Sequence, residues 1–171
     1  MLYLKGSPTL PFFIDRHMPG QLKSTTGAKA RKISNKKFGI VVAEWNEEIT
    51  EALYQGAWNA LIEMGASKRN ISRVNVPGSF ELPLGAQRLA EQKKVDAVIC
   101  LGCVIQGDTP HFDYICQATS YGIMKVGLKT GKPVVFGVLT TLNAQQALDR
   151  AGGKLGNKGE EAAVTAVAML S

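Results

Sequence analysis

Soft metal ligands are scarce here: the chain has three cysteines and two histidines among 171 residues. Cys100 and Cys103 form a CxxC, but residues three apart on a strand point to opposite faces of a sheet, so the pair is poorly placed to chelate one ion or form a redox disulfide. Cys116 is the other thiol, and His17 and His111 are the imidazoles, which leaves no fourth ligand for a structural zinc site. The economical reading is three buried, reduced thiols and no bound metal. Long apolar runs are missing too. None reaches the roughly 20 residues that span a bilayer, and no apolar signal segment opens the chain, so a soluble, unsecreted protein without a membrane partner is expected. Acidic residues are nearly absent from the start. Between Met1 and Lys37, 8 Lys/Arg face Asp15 alone (+7), while the remaining 12 basic and 13 acidic residues sum to −1, giving the net +6. The body is therefore nearly neutral, which argues against nucleic acid as a partner.

The basic head lacks apolar periodicity and contains Pro8, Pro11, Pro19, Gly20 and Gly27. It predicts a disordered extension over 1–36 ahead of one globular domain over 37–171. A solvated extension of no specific function is the preferred reading. A targeting peptide is an alternative, because the segment is basic, acid-poor and carries Ser and Thr; a nucleic-acid arm comes behind.

What is present is alternation. Phe38 to Ala43 reads as a strand, and Asn46-Glu47-Glu48 offers an N-cap residue and two first-turn acids for a helix running to about Gly65. A second strand over Ile71 to Val76 stops at Pro77-Gly78, and a helical pattern follows from about Leu82 to Lys94. The run Val95 to Ile105 is too continuously apolar for a half-exposed strand and reads as a buried parallel one. A helix from about Asp113 to Lys129, a fourth strand over Val134 to Leu139, and helices over about Ala144 to Ala151 and Lys158 to Leu170 complete the chain. Strand and helix alternating four times predict right-handed crossovers and a three-layer α/β/α sandwich around a four-stranded parallel sheet. Its ligand site belongs at the carboxyl ends of the strands.

The unusual residues fall at those ends. After the third strand, Gly107 and Pro110 make a turn that delivers His111 beside a new helix, whose first amides and dipole favour an anion. A histidine there can move protons near neutral pH, although it could equally cap the helix or bond a carbonyl. Trp45-Asn46 follows the first strand, Gly78 to Glu81 the second, and Thr140-Thr141 the fourth.

Trp45-Asn46, Val76 to Glu81, Gly102 to Thr109 with His111 and Asp113-Tyr114, Pro133 to Thr141, and Arg150 to Gly159 together resemble the 6,7-dimethyl-8-ribityllumazine synthase family. The resemblance runs from about Lys37 to the C-terminus. It implies a flavodoxin-like fold and a cofactor-independent condensation of 5-amino-6-(D-ribitylamino)uracil with 3,4-dihydroxy-2-butanone 4-phosphate, releasing phosphate and water, in the penultimate step of riboflavin biosynthesis.

Residue by residue, the resemblance implies that Trp45 stacks on the pyrimidine, with Asn46 beside it in the substrate site. Ser79, Phe80 and Glu81 would hold the ribityl chain, and the backbone of Cys103, Val104 and Ile105 would meet the pyrimidine. Asp108 and Thr109 match the phosphate-facing turn, where backbone N–H groups rather than the Asp108 carboxylate must bind. Arg150 matches the phosphate-binding arginine, and Phe136 and Lys158 match positions that close the site from a neighbouring subunit. His111 is the proton shuttle. Pentamers are implied, and the connection from Gly153 to Asn157 resembles that of members forming a sixty-subunit capsid, which can enclose riboflavin synthase. A bacterial cytoplasmic location is expected, or a plastid one if the extension is a targeting peptide. Trp45 stands where phenylalanine is usual, Gln106 where a basic residue is common, Pro110 where threonine is frequent and Phe112 where tyrosine is frequent. Gln106 removes a positive charge beside the phosphate turn. Two other classes are a noncatalytic flavodoxin-like binding module and a purely structural shell. The acidic loop Ala43 to Glu47, without a glycine cradle, speaks against the first, and His111, Arg150 and Lys158 speak against the second.

Overall fold

The computed structural model describes residues 33–170. The expectation for residues 1–36 lies mostly outside the described residues. Residues 33–36 belong to the packed body instead, because Ile33 sits in the core, the Ser34 carbonyl accepts a bond from the Asn70 amide and Lys36 pairs with Asp96.

In chain order the elements are β1 (Phe38–Ala43), α1 (Glu47–Glu63), β2 (Ile71–Val76), α2 (Leu82–Ala90), β3 (Ala97–Ile105), α3 (His111–Thr130), β4 (Val134–Thr141), α4 (Ala144–Leu148), β5 (Ala151–Gly153), β6 (Gly156–Asn157) and α5 (Lys158–Met169), with 3-10 turns at Lys68–Asn70 and Ser79–Glu81. The four long strands pair in parallel in the order β2-β1-β3-β4. Alternate strand residues serve opposite cores. Ile40, Val42, Ile99 and Leu101 pack with α1 and α5, while Val41, Ala43, Val98 and Cys100 pack with α2 and α3. Burial on both faces is why β1 and β3 read as unbroken apolar runs. Cys100 and Cys103 fall into opposite cores, as their spacing predicts. Cys116 is only half-buried, because α3 covers the sheet with one side and leaves the other open, so the expectation of three buried thiols holds for two. Helices α1 and α5 approach so closely that a β-carbon on Gly159 would lie 1.9 Å from the Leu53 carbonyl oxygen. Only glycine fits there.

Element ends depart from the sequence reading where distant groups intervene. Helix α2 stops at Ala90 rather than near Lys94, since the Lys132 ammonium donates to the carbonyls of Ala90 (2.7 Å) and Gln92 (2.8 Å) and satisfies that terminus from outside. Strand β4 continues to Thr141 because β3 pairs with it as far as Ile105. Helix α4 ends at Leu148, not Ala151, and residues 151–157 form the small antiparallel pair β5–β6, with Gly152 (φ 111°) and Gly156 (φ 79°) in the left-handed region.

Candidate active site

Strand β1 lies between β2 and β3, so successive connections leave it in opposite directions and a crevice opens between the carboxyl ends of β1 and β3. A cavity of about 670 Å³ occupies that place, within the range usual for small-molecule sites. Its walls gather Trp45 and Asn46 from beyond β1, Ser79, Phe80 and Glu81 from beyond β2, and Cys103, Val104, Ile105 and His111 from β3 and the start of α3. Of the other two lining residues, Gly78 was singled out at its strand end without a site role, and Ile115 was missed. Gly78 reads as a strand stop. Ile115 is four residues after His111 and shares its helix face, a spacing that could have found it.

Each wall has a local cause. The chain leaving β1 is tied to the chain leaving β2 by the Glu44 amide on the Val76 carbonyl (2.9 Å) and the Trp45 amide on the Pro77 carbonyl (3.2 Å). Trp45 is 73% exposed and takes no part in the core. A β-carbon at Gly78 would meet Glu81 Oε2 and Trp45 Cδ1 at 3.2 and 3.5 Å, which shows how closely those side chains flank it. The Ser79 carbonyl accepts from the buried Thr119 hydroxyl (3.1 Å), pinning the turn to α3, while the buried Ser79 hydroxyl has no partner among the described residues.

Asn46 corrects one expectation. Its side chain makes no cap bond to α1; its amide donates instead to the Cys103 carbonyl at 3.0 Å, and its backbone is left-handed (φ 60°, ψ 48°). It is the one non-glycine with positive φ among the described residues, a conformation that costs about 1 kcal/mol and that asparagine tolerates better than most.

His111 is the first residue of the twenty-residue α3 and is exposed on the cavity wall. Among the described residues its imidazole has no hydrogen-bond partner, so it neither caps the helix nor holds a carbonyl. In the turn before it, Asp108 and Thr109 are exposed and line no part of the cavity; the Gln106 amide closes the turn onto the Thr141 carbonyl at 2.8 Å.

Among the described residues no lysine or arginine lines this cavity. Arg150 lies past α4, its guanidinium donating to the Gln146 carbonyl at 3.0 Å. Phe136 and Lys158 line a separate cleft of about 450 Å³ between β4 and α5, where the Lys158 ammonium pairs with Glu161. The structure thus brings nine of the predicted site residues into one cavity and leaves Phe136, Arg150 and Lys158, with the exposed Asp108 and Thr109, outside it.

Burial pushes the Cys103 thiol up to about 11, and raises Cys100 further still. Cys116 is raised by burial and then by the charge of Asp113. None is poised as a thiolate nucleophile at neutral pH. Among the described residues no His, Cys, Asp and Glu cluster could hold a metal ion.

Residues 35–171 match the family model described as 6,7-dimethyl-8-ribityllumazine synthase. The 6,7-dimethyl-8-ribityllumazine synthase of Cytophaga hutchinsonii is 64% identical over 148 residues, covering 86% of this chain and 93% of the relative. That of Parabacteroides distasonis is 56% identical over 138 residues (81% and 86%), and that of Desulfatibacillum aliphaticivorans 47% identical over 154 residues (90% and 96%). With its flavodoxin-like sheet, its switch-point cavity and these matches, the chain belongs to the 6,7-dimethyl-8-ribityllumazine synthase family.

Proposed function

We propose that the chain condenses 5-amino-6-(D-ribitylamino)uracil with 3,4-dihydroxy-2-butanone 4-phosphate to give 6,7-dimethyl-8-ribityllumazine, phosphate and water. The observation that carries this is the convergence of an exposed indole, an unpaired imidazole and a polar turn in one cavity at the switch point. The Trp45 face stacks on the pyrimidine. Ser79 to Glu81 hold the ribityl hydroxyls, with the unpartnered Ser79 hydroxyl and the Glu81 carboxylate as hydrogen-bonding groups. The 5-amino group attacks the ketone and loses water to form an imine, phosphate is eliminated, and the resulting enol tautomerises and closes on the ribityl-bearing nitrogen with loss of a second water. His111 carries the protons between these steps. Much of the rate comes from holding two reactants together, since the chemistry needs no covalent nucleophile.

The phosphorylated substrate is an anion, and the cavity supplies no cation of its own. We assign that role to Arg150, with Phe136 and Lys158 closing the pyrimidine side, all delivered by a second copy of the chain. The amides of Gly107 to Thr109, which meet no acceptor among the described residues, add donors at the rim. Self-association has apolar surface to use: Met124 and Leu128 of α3 are exposed beside Phe136 and Met169. Pentamers, a sixty-subunit capsid enclosing riboflavin synthase, and a place in the bacterial cytoplasm belong to the same proposal. Among the described residues no helix is long and apolar enough to cross a membrane. Light scattering sizes the assembly.

The test mixes purified protein with both substrates and follows lumazine absorbance and phosphate release against the uncatalysed background. Lumazine formation that depends on the protein and weakens in His111→Ala and Arg150→Ala supports the reading. No acceleration, with tight lumazine binding retained, would replace it with a binding module.

A further inference from the structure

We infer that Asn46 is a positioning residue of this cavity, acting through the Cys103 carbonyl and through Trp45. The inference rests on the reading of the cavity given above and concerns how its two walls are held together.

Pairing between β1 and β3 ends at Val42 and Leu101, while β3 continues to Ile105 with β4 as its remaining partner. Beyond Leu101, the edge of β3 that faces the crevice has lost its strand. The Asn46 amide meets the Cys103 carbonyl two residues past that last pair. A side chain therefore takes up a bond where the strand has turned away, and it does so across the mouth of the cavity. Reaching it requires the left-handed backbone at Asn46, which a β-branched residue would resist. The chemistry also fixes the amide's orientation: a carbonyl only accepts, so the NH2 group faces Cys103, and an aspartate at this position would set oxygen against oxygen.

Trp45 is the residue such a clamp controls. Its indole is largely exposed, so packing does not fix its direction. Its backbone is held on one side by the bond to Pro77 and on the other by Asn46. Releasing the amide frees the indole to swing, and the stacking wall loses its preorganisation. The turn itself is a separate matter, because glycine keeps the left-handed backbone and discards the amide.

The experiment uses the full chain with Trp58→Phe, which leaves Trp45 as the single tryptophan of the two. Asn46→Gly and Asn46→Asp are compared with this parent. In ligand-free protein, the amplitude of the nanosecond depolarisation of Trp45 emission should rise about twofold in both variants. KM for the pyrimidine should rise about tenfold while kcat stays within about threefold, because the clamp organises binding and not proton transfer. The melting temperature of Asn46→Gly should stay within about 4 °C of the parent. Unchanged anisotropy and unchanged KM in Asn46→Gly would reduce Asn46 to a turn former. Raised KM with unchanged anisotropy would make it a direct substrate ligand, and a large fall in melting temperature in both variants, with KM and kcat lost together, would make it a general structural residue. Each of these overturns the inference. Anisotropy is read without substrate, so the clamp can be seen even if no lumazine forms, which separates its failure from that of the proposed reaction.

Discussion

The cavity beyond β1 and β3 and the cleft between β4 and α5 hold complementary groups. Among the described residues, the first has an indole, an imidazole and a carboxylate but no lysine or arginine, and the second has Phe136 and Lys158 but no imidazole. They stand at different places on the sheet, the cavity at its central switch point and the cleft at the β4 edge. A reaction that moves protons and expels phosphate needs both kinds of group. The contrast between the two linings is what motivates the proposal that copies of the chain share a site.

The comparison can be broken most sharply at His111. Replacing it with alanine should lower kcat about 10²-fold, the size expected for one acid–base group. The melting temperature should not move, because the imidazole is exposed and unpartnered. Lumazine absorbance and calorimetry check the two halves of that statement, and a large loss of stability would mean that His111 is structural.

Arg150→Ala tests the cation that we propose a second copy brings to the cavity, from a position past α4 that lines neither region. It should raise KM for the phosphorylated substrate about tenfold and leave pyrimidine binding alone, as loss of one charge-assisted contact implies. An unchanged KM for that substrate refutes the assignment. Trp45→Ala should weaken pyrimidine binding by about fivefold or more, and Trp45→Phe by less than about threefold, since either aromatic face can stack. Titration of the intrinsic fluorescence or calorimetric binding measures both.

The smallest effect lies remote from both regions and serves as a control. Glu51 forms a bidentate pair with Arg73, whose guanidinium also lies 4.4 Å from the centre of the Tyr54 ring. The hydrogen bond from Arg73 holds the Glu51 carboxyl below its ordinary range. The folded pKa is therefore the lower one, so the pair's contribution is present above the unfolded carboxylate pKa and is lost as pH falls through the depressed folded value. Glu51→Gln should cost less than about 1 kcal/mol at neutral pH, because the pair is partly solvated and screened by salt. Variant and parent should converge in acid, and activity should be unchanged. Urea melts at both pH values, with the lumazine assay beside them, test this.

How much of this was legible in the sequence depended on the range of the interaction responsible. Strands β1 and β2 appear at the residues expected, because their apolar runs and the Pro77-Gly78 stop are local signals. The end of α2 was not, because it is set by Lys132 from 40 residues downstream of Gln92. Asn46 shows the same limit. Its residue type and its place before two glutamates spell a helix cap, while its actual partner, Cys103, is 57 residues away. The resemblance implied Phe136 and Lys158 as residues of a neighbouring subunit and Arg150 as a phosphate ligand of no stated copy, and no spacing rule could say that Arg150 stands outside the cavity of its own chain. The β5–β6 pair is too short to show alternation, and its glycines read only as a break.

The most direct measurement of the proposed shared site is complementation. His111→Ala and Arg150→Ala chains are each purified, then unfolded, mixed in equal amounts and reassembled, and lumazine formation is compared with each variant treated alone. If the two residues serve one site from different copies, random neighbours should restore about a quarter of the sites to the parental pair and activity should rise far above either variant. Activity that stays at the average of the two variants would place both residues in the site of a single chain and contradict the account.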